Sequence, residues 1–280
     1  MNAGGKLIDL STPKVMGILN ITPDSFYDGG RHYTVPAALA QAEQLLAAGA
    51  DIIDIGAYSS RPGAANVSAA EESGRLLPAI EAIIHRFPEA VISVDTFRAG
   101  VARSSIAAGA QIINDISGGT LDDEMFATVA ELQAPYILMH MRGTPDTMQR
   151  LTDYDDITSE VSLFFGKQVA ALRQLGVRDI ILDPGFGFAK TLEQNYELLN
   201  RLETLHMHGL PILGAISRKS MIYKKLGIKP DDALNGTTVL NTVLLMKGVH
   251  ILRVHDVKAA KEAIALLLPN HATRPHGRLR

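Results

Sequence analysis

Residues 90–116 read AVISVDTFRAGVARSSIAAGAQIINDI. A β-branched run ends in Asp95, a helical stretch follows over residues 98–108, Gly109 stops it, and a second β-branched run begins at Gln111. Short Ile- and Val-rich runs suit strands, and an Ala-rich stretch closed by glycine suits a helix. The runs are continuously apolar, as expected of parallel strands covered on both faces. The same unit recurs along the chain. Its strand runs are VMGIL (15–19), DIIDIG (51–56), AVISVD (90–95), QIINDI (111–116), PYILMH (135–140), DIILDPG (179–185), PILGAIS (211–217) and HILRVH (250–255). Helices are expected over residues 36–48, 68–86, 98–108, 122–132, 156–175, 192–204, 231–247 and 257–267, with a short extra one near 218–226. Eight βα units predict a closed parallel (β/α)8 TIM barrel.

Local signals agree with this division. Gly49, Gly109, Gly176 and Gly248 each stand at a helix-ending position. Pro36 suits a first helical turn, and Ser68 with Glu71 has the spacing of a capping box. The connections after the helices are short. Those after the strands are longer at residues 20–35, 56–67 and 140–155. In a barrel the long loops at the strand C-termini carry function.

Composition narrows the class. At 46% apolar and 20% charged, 280 residues can bury one large core. No Pro/Gly/Ser linker interrupts the rhythm, so residues 1–280 are expected to be a single domain. Its core would run from about 14 to 267, with 268–280 a polar, basic tail. A net charge of −3 gives no general attraction to nucleic acid or to an anionic membrane. No run approaches the ~20 apolar residues that span a bilayer, and the N-terminus lacks the apolar core of a signal peptide. The absence of cysteine excludes disulfides and thiolate metal sites and fits a cytoplasmic setting.

Polar chemistry gathers where the strand runs end: Asn20, Asp54, Asp95, Asn114 with Asp115, His140, Asp183, Arg218 with Lys219, and Arg253 with His255. Asp95, Asn114 and Asp183 should face the barrel axis. Carboxylates accept hydrogen bonds and an amide both donates and accepts, so the three suit a flat heterocycle bearing an amino group beside ring N–H and C=O. The alternative is an ordinary polar plug or local capping. Ser217-Arg218-Lys219-Ser220 opens a short helix after the seventh run, where barrels often bind phosphate. Arg253 can grip phosphate oxygens at two points and His255 can add a donor. No His/Asp/Glu spacing suggests zinc. DPGFGFAK (183–190) lacks the glycine spacing and helix context of a nucleotide fingerprint. Its Phe186 and Phe188 are equally suited to core packing and to ring stacking.

These strand-end motifs resemble dihydropteroate synthases over roughly residues 14–267. They are Asn20-Ile-Thr-Pro-Asp-Ser-Phe26, Ser60-Arg-Pro-Gly63, Ser93-Val-Asp-Thr96, Ile113-Asn-Asp115, Leu182-Asp-Pro-Gly-Phe-Gly-Phe188, Ser217-Arg-Lys-Ser220 and Arg253-Val-His-Asp256. The resemblance implies an enzyme of folate synthesis. It would join 6-hydroxymethyl-7,8-dihydropterin pyrophosphate to 4-aminobenzoate with the help of Mg2+, releasing pyrophosphate. It also implies a cytoplasmic homodimer open to sulfonamides. By the same resemblance Asp95, Asn114 and Asp183 hold the pterin, Lys219 meets its carbonyl side, and Met139 and Phe188 pack on it. Asp95, Asp183 and Lys219 are the catalytic group. Asn20 would serve magnesium, and Arg253 and His255 the pyrophosphate. Ser60, Arg61, Pro62, Lys219 and Ser220 would shape the aminobenzoate site. The family usually has Glu-Ser-Thr-Arg in the second loop, where this chain has Tyr58-Ser-Ser-Arg61. A pterin-binding methyltransferase on the same barrel, and a pterin-binding protein without catalysis, are the competing readings.

Overall fold

The computed structural model describes residues 1–21, 35–58 and 67–268. Eight parallel strands form the centre: β1 Lys14–Asn20, β2 Ile52–Gly56, β3 Ile92–Asp95, β4 Ile112–Asp115, β5 Tyr136–Met139, β6 Ile180–Asp183, β7 Leu213–Gly214 and β8 Ile251–Val254. They hydrogen-bond in the order β6-β5-β4-β3-β2-β1-β8-β7. A parallel bridge between Leu182 and Ile212 brings β6 and β7 together and closes the ring. The expected eight-unit TIM barrel is therefore the fold.

Helices pack outside the ring: α1 Val35–Ala47, α2 Ala69–Arg86, α3 Ala99–Ala107, α4 Met125–Leu132, α5 Ile157–Gln174, α6 Leu192–Asn200, α7 Ser220–Leu226, α8 Leu234–Met246 and α9 Val257–Leu267. Gly49, Gly109, Gly176 and Gly248 take the left-handed backbone their helix-ending positions require. The Ser68 side chain caps α2 by accepting from the Glu71 N–H at 3.2 Å, while the Glu71 carboxylate pairs with Arg75. Three boundaries differ from expectation by three residues or more; one is α8, which begins at Leu234 rather than 231 because Pro230–Asp232 form a separate 3-10 turn. The fourth helix begins at Met125 because Asp122 is otherwise engaged: its carboxylate accepts from the N–H groups of Ala99 and Glu124. The sixth stops at Asn200 and tightens into a 3-10 segment, Leu202–His208, where the Thr204 hydroxyl donates to the Arg201 carbonyl.

Strand parity sorts the side chains into an outer shell and an interior. Val15, Leu19, Ile53, Ile55, Val94, Ile113, Leu138, Leu182, Leu252 and Val254 pack outward against the helices. Met16, Ile52, Val91, Ile112, Ile137, Ile181, Leu213, Ala215 and Ile251 fill the lower interior. One inward position higher, that apolar layer gives way to Asp54, Ser93, Asn114, Asp183 and Arg253. An N-terminal hairpin, Asn2–Ala3 with Lys6–Leu7, lies beneath the floor. Ala3 is buried against the apolar layer, and the Asn2 N–H donates to Asp179 at 2.9 Å.

Much of the first two strand-end loops, and the segment after Leu268, lie outside the described residues. So do Ser60, Arg61 and Pro62. The third loop holds a 3-10 turn at Met148–Arg150 and an Arg142 that stacks on Tyr154, 3.7 Å from its ring centre. Among the described residues no helix is long and apolar enough to cross a membrane.

Candidate active site

A chain of charge-assisted bonds crosses the interior above the apolar layer. Arg253, on β8, donates from Nε to Asp54 Oδ2 at 2.6 Å and from Nη2 to Asp95 Oδ2 at 2.7 Å. Asn114, on β4, donates from Nδ2 to the same Asp54 oxygen at 2.9 Å. Burial works against the guanidinium charge, but Asp54 and Asp95 outweigh it and hold its proton more firmly than usual. Burial pushes the Asp95 carboxyl up from its ordinary range; Arg253 opposes this and Asp54 reinforces it.

Asp183 ends β6 and is 3% exposed. Its Oδ1 accepts from the Gly185 N–H at 2.8 Å. Burial raises its pKa, against the pull of Lys219, the Gly185 N–H and Arg253. Lys219 donates to the Phe186 carbonyl at 2.6 Å, and its nitrogen stands 4.7 Å from the centre of the Phe188 ring. Burial brings the ammonium down to about 8, with Asp183 resisting. Met139 is paired in register with Asp183 across β5 and β6. Met139, Ile116, Met141, Met148 and Ala189 form a small apolar cluster, and the partly exposed Phe188 packs on it. Phe186 is fully buried in the outer core. The two phenylalanines thus differ: Phe186 is core, and Phe188 stays partly exposed at the mouth.

Next to Lys219 on the mouth, Ser217 links the end of β7 to β8. Its hydroxyl accepts from the His255 N–H at 3.2 Å and lies 3.0 Å from Nδ1 of the same residue. Ser220 opens α7, and Asn20 closes β1 opposite Gly56. The mouth therefore gathers carboxylates, an amide and a half-buried ammonium beside an aromatic face, with an arginine at the same level.

The sequence matches the family model described as pterin binding enzyme over residues 16–255. The dihydropteroate synthase of Escherichia coli K12 is 48% identical over 95% of this chain and 94% of its own. The chain belongs to the dihydropteroate synthase family of pterin-binding enzymes. The solved Xanthomonas albilineans dihydropteroate synthase with 4-aminobenzoic acid matches with a TM-score of 0.88 at 38% identity, covering 95% of each chain. The structure of that enzyme in complex with 7,8-dihydropteroate matches at 0.86 and 36% identity, covering 95% of this chain and 96% of that one.

Within this family member, three strand-end residues go elsewhere than the mouth. Asp115 follows Asn114, so the pleat turns it outward. There it accepts from the Tyr136 hydroxyl at 2.6 Å and from Ser117. Arg218 instead grips Asp256 with two bonds of 2.9 and 2.7 Å. His140 is buried against Lys190, with 3.0 Å between Nδ1 and Nζ. Tyr58, where the family usually has Glu, stands edge-on to Phe97 with ring centres 5.2 Å apart, and Arg98 lies over both rings. The residue given no role on sequence grounds is Asp54, which holds both Arg253 and Asn114. Parity contains its signal: Asp54 lies two residues above the inward Ile52 and between the outward Ile53 and Ile55.

Proposed function

We propose that this chain joins 6-hydroxymethyl-7,8-dihydropterin pyrophosphate to 4-aminobenzoate, giving 7,8-dihydropteroate and pyrophosphate. The observation that carries the proposal is the grouping of Asp95, Asn114, Asp183 and Lys219 on one barrel mouth beside Met139 and Phe188. Asp183 and Asn114 accept from and donate to the amino edge of the pterin. Lys219 donates to its carbonyl, and Phe188 and Met139 pack on the ring. As the carbon–oxygen bond to pyrophosphate breaks, positive charge grows on the pterin methylene. The fields of Asp95 and Asp183 favour that charge, and the aryl amine attacks it. No covalent enzyme intermediate is needed. Carboxylates whose charge burial disfavours gain most when a cation forms beside them.

Arg253 and His255 bind the leaving pyrophosphate. Two of the five guanidinium N–H groups serve Asp54 and Asp95, so others remain for phosphate. Ser220 and Lys219 border the aminobenzoate site. Ser60, Arg61 and Pro62 enter this proposal through their motif alone. The donor chemistry suits magnesium: Asn20 offers an amide oxygen, and substrate phosphate supplies the kind of oxygen that this ion favours. Among the described residues no group of three acidic or histidine side chains forms a cage of its own. When bound, magnesium neutralises charge on the leaving group. A homodimer is part of the proposal, supported by exposed Leu226, Val239, Met246 and Leu266 on α7, α8 and α9. A cytoplasmic setting suits a cysteine-free chain.

One assay tests the reaction: the chain with both substrates and magnesium should release pyrophosphate and dihydropteroate in equal amounts. Pterin capture without pyrophosphate release would overturn it. Methyl transfer from a methylated pterin in place of condensation would favour the methyltransferase reading.

A further inference from the structure

Lys190 is buried at 4% exposure. Its ammonium donates to the Gly185 and Phe188 carbonyls at 3.0 Å each, and lies 3.0 Å from His140 Nδ1 and 3.5 Å from the His140 carbonyl. All four contacts are neutral acceptors. Three acceptors at 3.0 Å match the three N–H groups of an ammonium, so the group is saturated. Burial holds His140 well below its ordinary pKa, which keeps its imidazole neutral and leaves a ring nitrogen able to accept. Burial brings the Lys190 ammonium down to about 7 against the pull of Asp183, and an apolar side chain would fill the space without that penalty. Packing alone therefore does not account for a lysine at this position.

The segment it grips bears the ring-packing face of the mouth. Between Asp183 and Lys190 the backbone enters the left-handed region at Gly185, Gly187 and Ala189, with φ of 68°, 83° and 48°. Ala189 is disfavoured there, because only glycine enters that region freely. Such a conformation persists when its surroundings over-determine it. Lys190 supplies part of that constraint from below, and the Tyr154 hydroxyl adds a bond of 3.0 Å to the Ala189 carbonyl. Gly185 also lies flat against β5, since a Cβ there would come within 2.0 Å of the His140 carbonyl oxygen. The same Gly185 donates its N–H to Asp183, and Phe188 carries the ring beneath the Lys219 ammonium.

We propose that Lys190 is a positioning residue for pterin recognition, its ammonium clamping the β6 turn to the end of β5 so that Asp183 and Phe188 are presented together. The inference rests on the pterin reading of this site. It separates two substrates that enter one mouth. The turn it holds carries the proposed pterin contacts; of the aminobenzoate side only Lys219 touches it, through the Phe186 carbonyl, while Ser220 and the second-loop motif belong to other elements. A lost clamp should therefore act chiefly on the pterin substrate.

The test compares Lys190→Met, which keeps bulk and removes every donor, with Lys190→Gln, which keeps two N–H donors without the charge. Steady-state constants for both substrates are measured beside wild type, with far-UV circular dichroism to establish the fold. The expected result is a pterin pyrophosphate KM raised at least tenfold in Lys190→Met. Lys190→Gln should fall between it and wild type, with the 4-aminobenzoate KM within twofold in both. If Lys190→Met does not fold, Lys190→Gln decides alone, with at least a threefold rise confined to the pterin constant. Equal losses for both substrates, or unchanged pterin constants, would overturn the proposal. Wild type that makes no dihydropteroate would instead refute the underlying reading.

Discussion

Replacing Asp54 tests whether the buried charge network organises the site. One oxygen, Oδ2, receives both Arg253 Nε at 2.6 Å and Asn114 Nδ2 at 2.9 Å, while Oδ1 is buried with no partner among the described residues. Asp54→Ala removes both bonds at once. Hydrogen bonds to charged groups contribute about 1.5–3 kcal/mol each, so the two together are worth roughly 3–6 kcal/mol. Arg253 keeps Asp95, which places the expected loss near the lower end, about 3 kcal/mol. At about 1.36 kcal/mol per tenfold, kcat/KM for pterin pyrophosphate should fall somewhat over a hundredfold. Asp54→Asn separates geometry from charge. Its amide oxygen can take the Oδ2 position and keep both bonds, leaving its NH2 where the unpartnered Oδ1 now lies. The loss should then be nearer tenfold, roughly 1.4 kcal/mol. Pyrophosphate release gives the rates, and thermal melting separates misfolding from misplacement. A folded Asp54→Ala enzyme within threefold of wild type would refute the network as an organiser of Arg253 and Asn114.

Asp183→Asn presents a donor where the pterin amino edge needs an acceptor, and should lower kcat/KM by at least about 100-fold, roughly 2.7 kcal/mol; a change below threefold would remove Asp183 from the site. Lys219, brought down to about 8 by burial, should impose a fall in kcat/KM as pH rises through about 8, and Lys219→Met should lose that limb. Stability has the opposite sign. The unfolded chain holds this proton more tightly than the folded one, so Lys219 disfavours the fold below about 8 and that penalty fades as pH rises toward its ordinary value of 10.5. Arg253→Ala removes the bonds to Asp54 and Asp95, leaving Asp54 with Asn114, and should weaken pyrophosphate inhibition by about 2–5 kcal/mol, with normal inhibition relocating the anion site. Excess chelator should suppress turnover, and full activity in its presence would rule out the metal.

The barrel was legible because each βα unit repeats the same local physics: a buried β-branched strand, an amphipathic helix, a glycine that ends it. Parity was also available, and it decides between neighbours. Asn114 and Asp115 cannot both face the axis, and only Asn114 does. Which partner captures a charge was not legible. Arg253 meets Asp54 across 199 residues, and Arg218 meets Asp256 across 38. Local pattern places a guanidinium at a strand end but does not say whether a carboxylate already waits there. Lys190 was hidden in part for the same reason: Gly185 and Phe188 lie on its own turn, but His140 joins them only when β5 and β6 lie side by side.

The hairpin beneath the barrel has its own consequence. Ala3 is buried against the apolar floor, Asn2 is tied to Asp179, and Lys6 donates to the Pro88 carbonyl at 2.7 Å. The barrel is thus a cup with a sealed base rather than a tube. Reactants and products must use the same rim, and a molecule resting on the polar layer lies under whatever arrives next. On the proposed reading, deep-bound pterin enters first and the aryl amine binds above it. The product, which contains both, leaves as one piece by the way its parts entered.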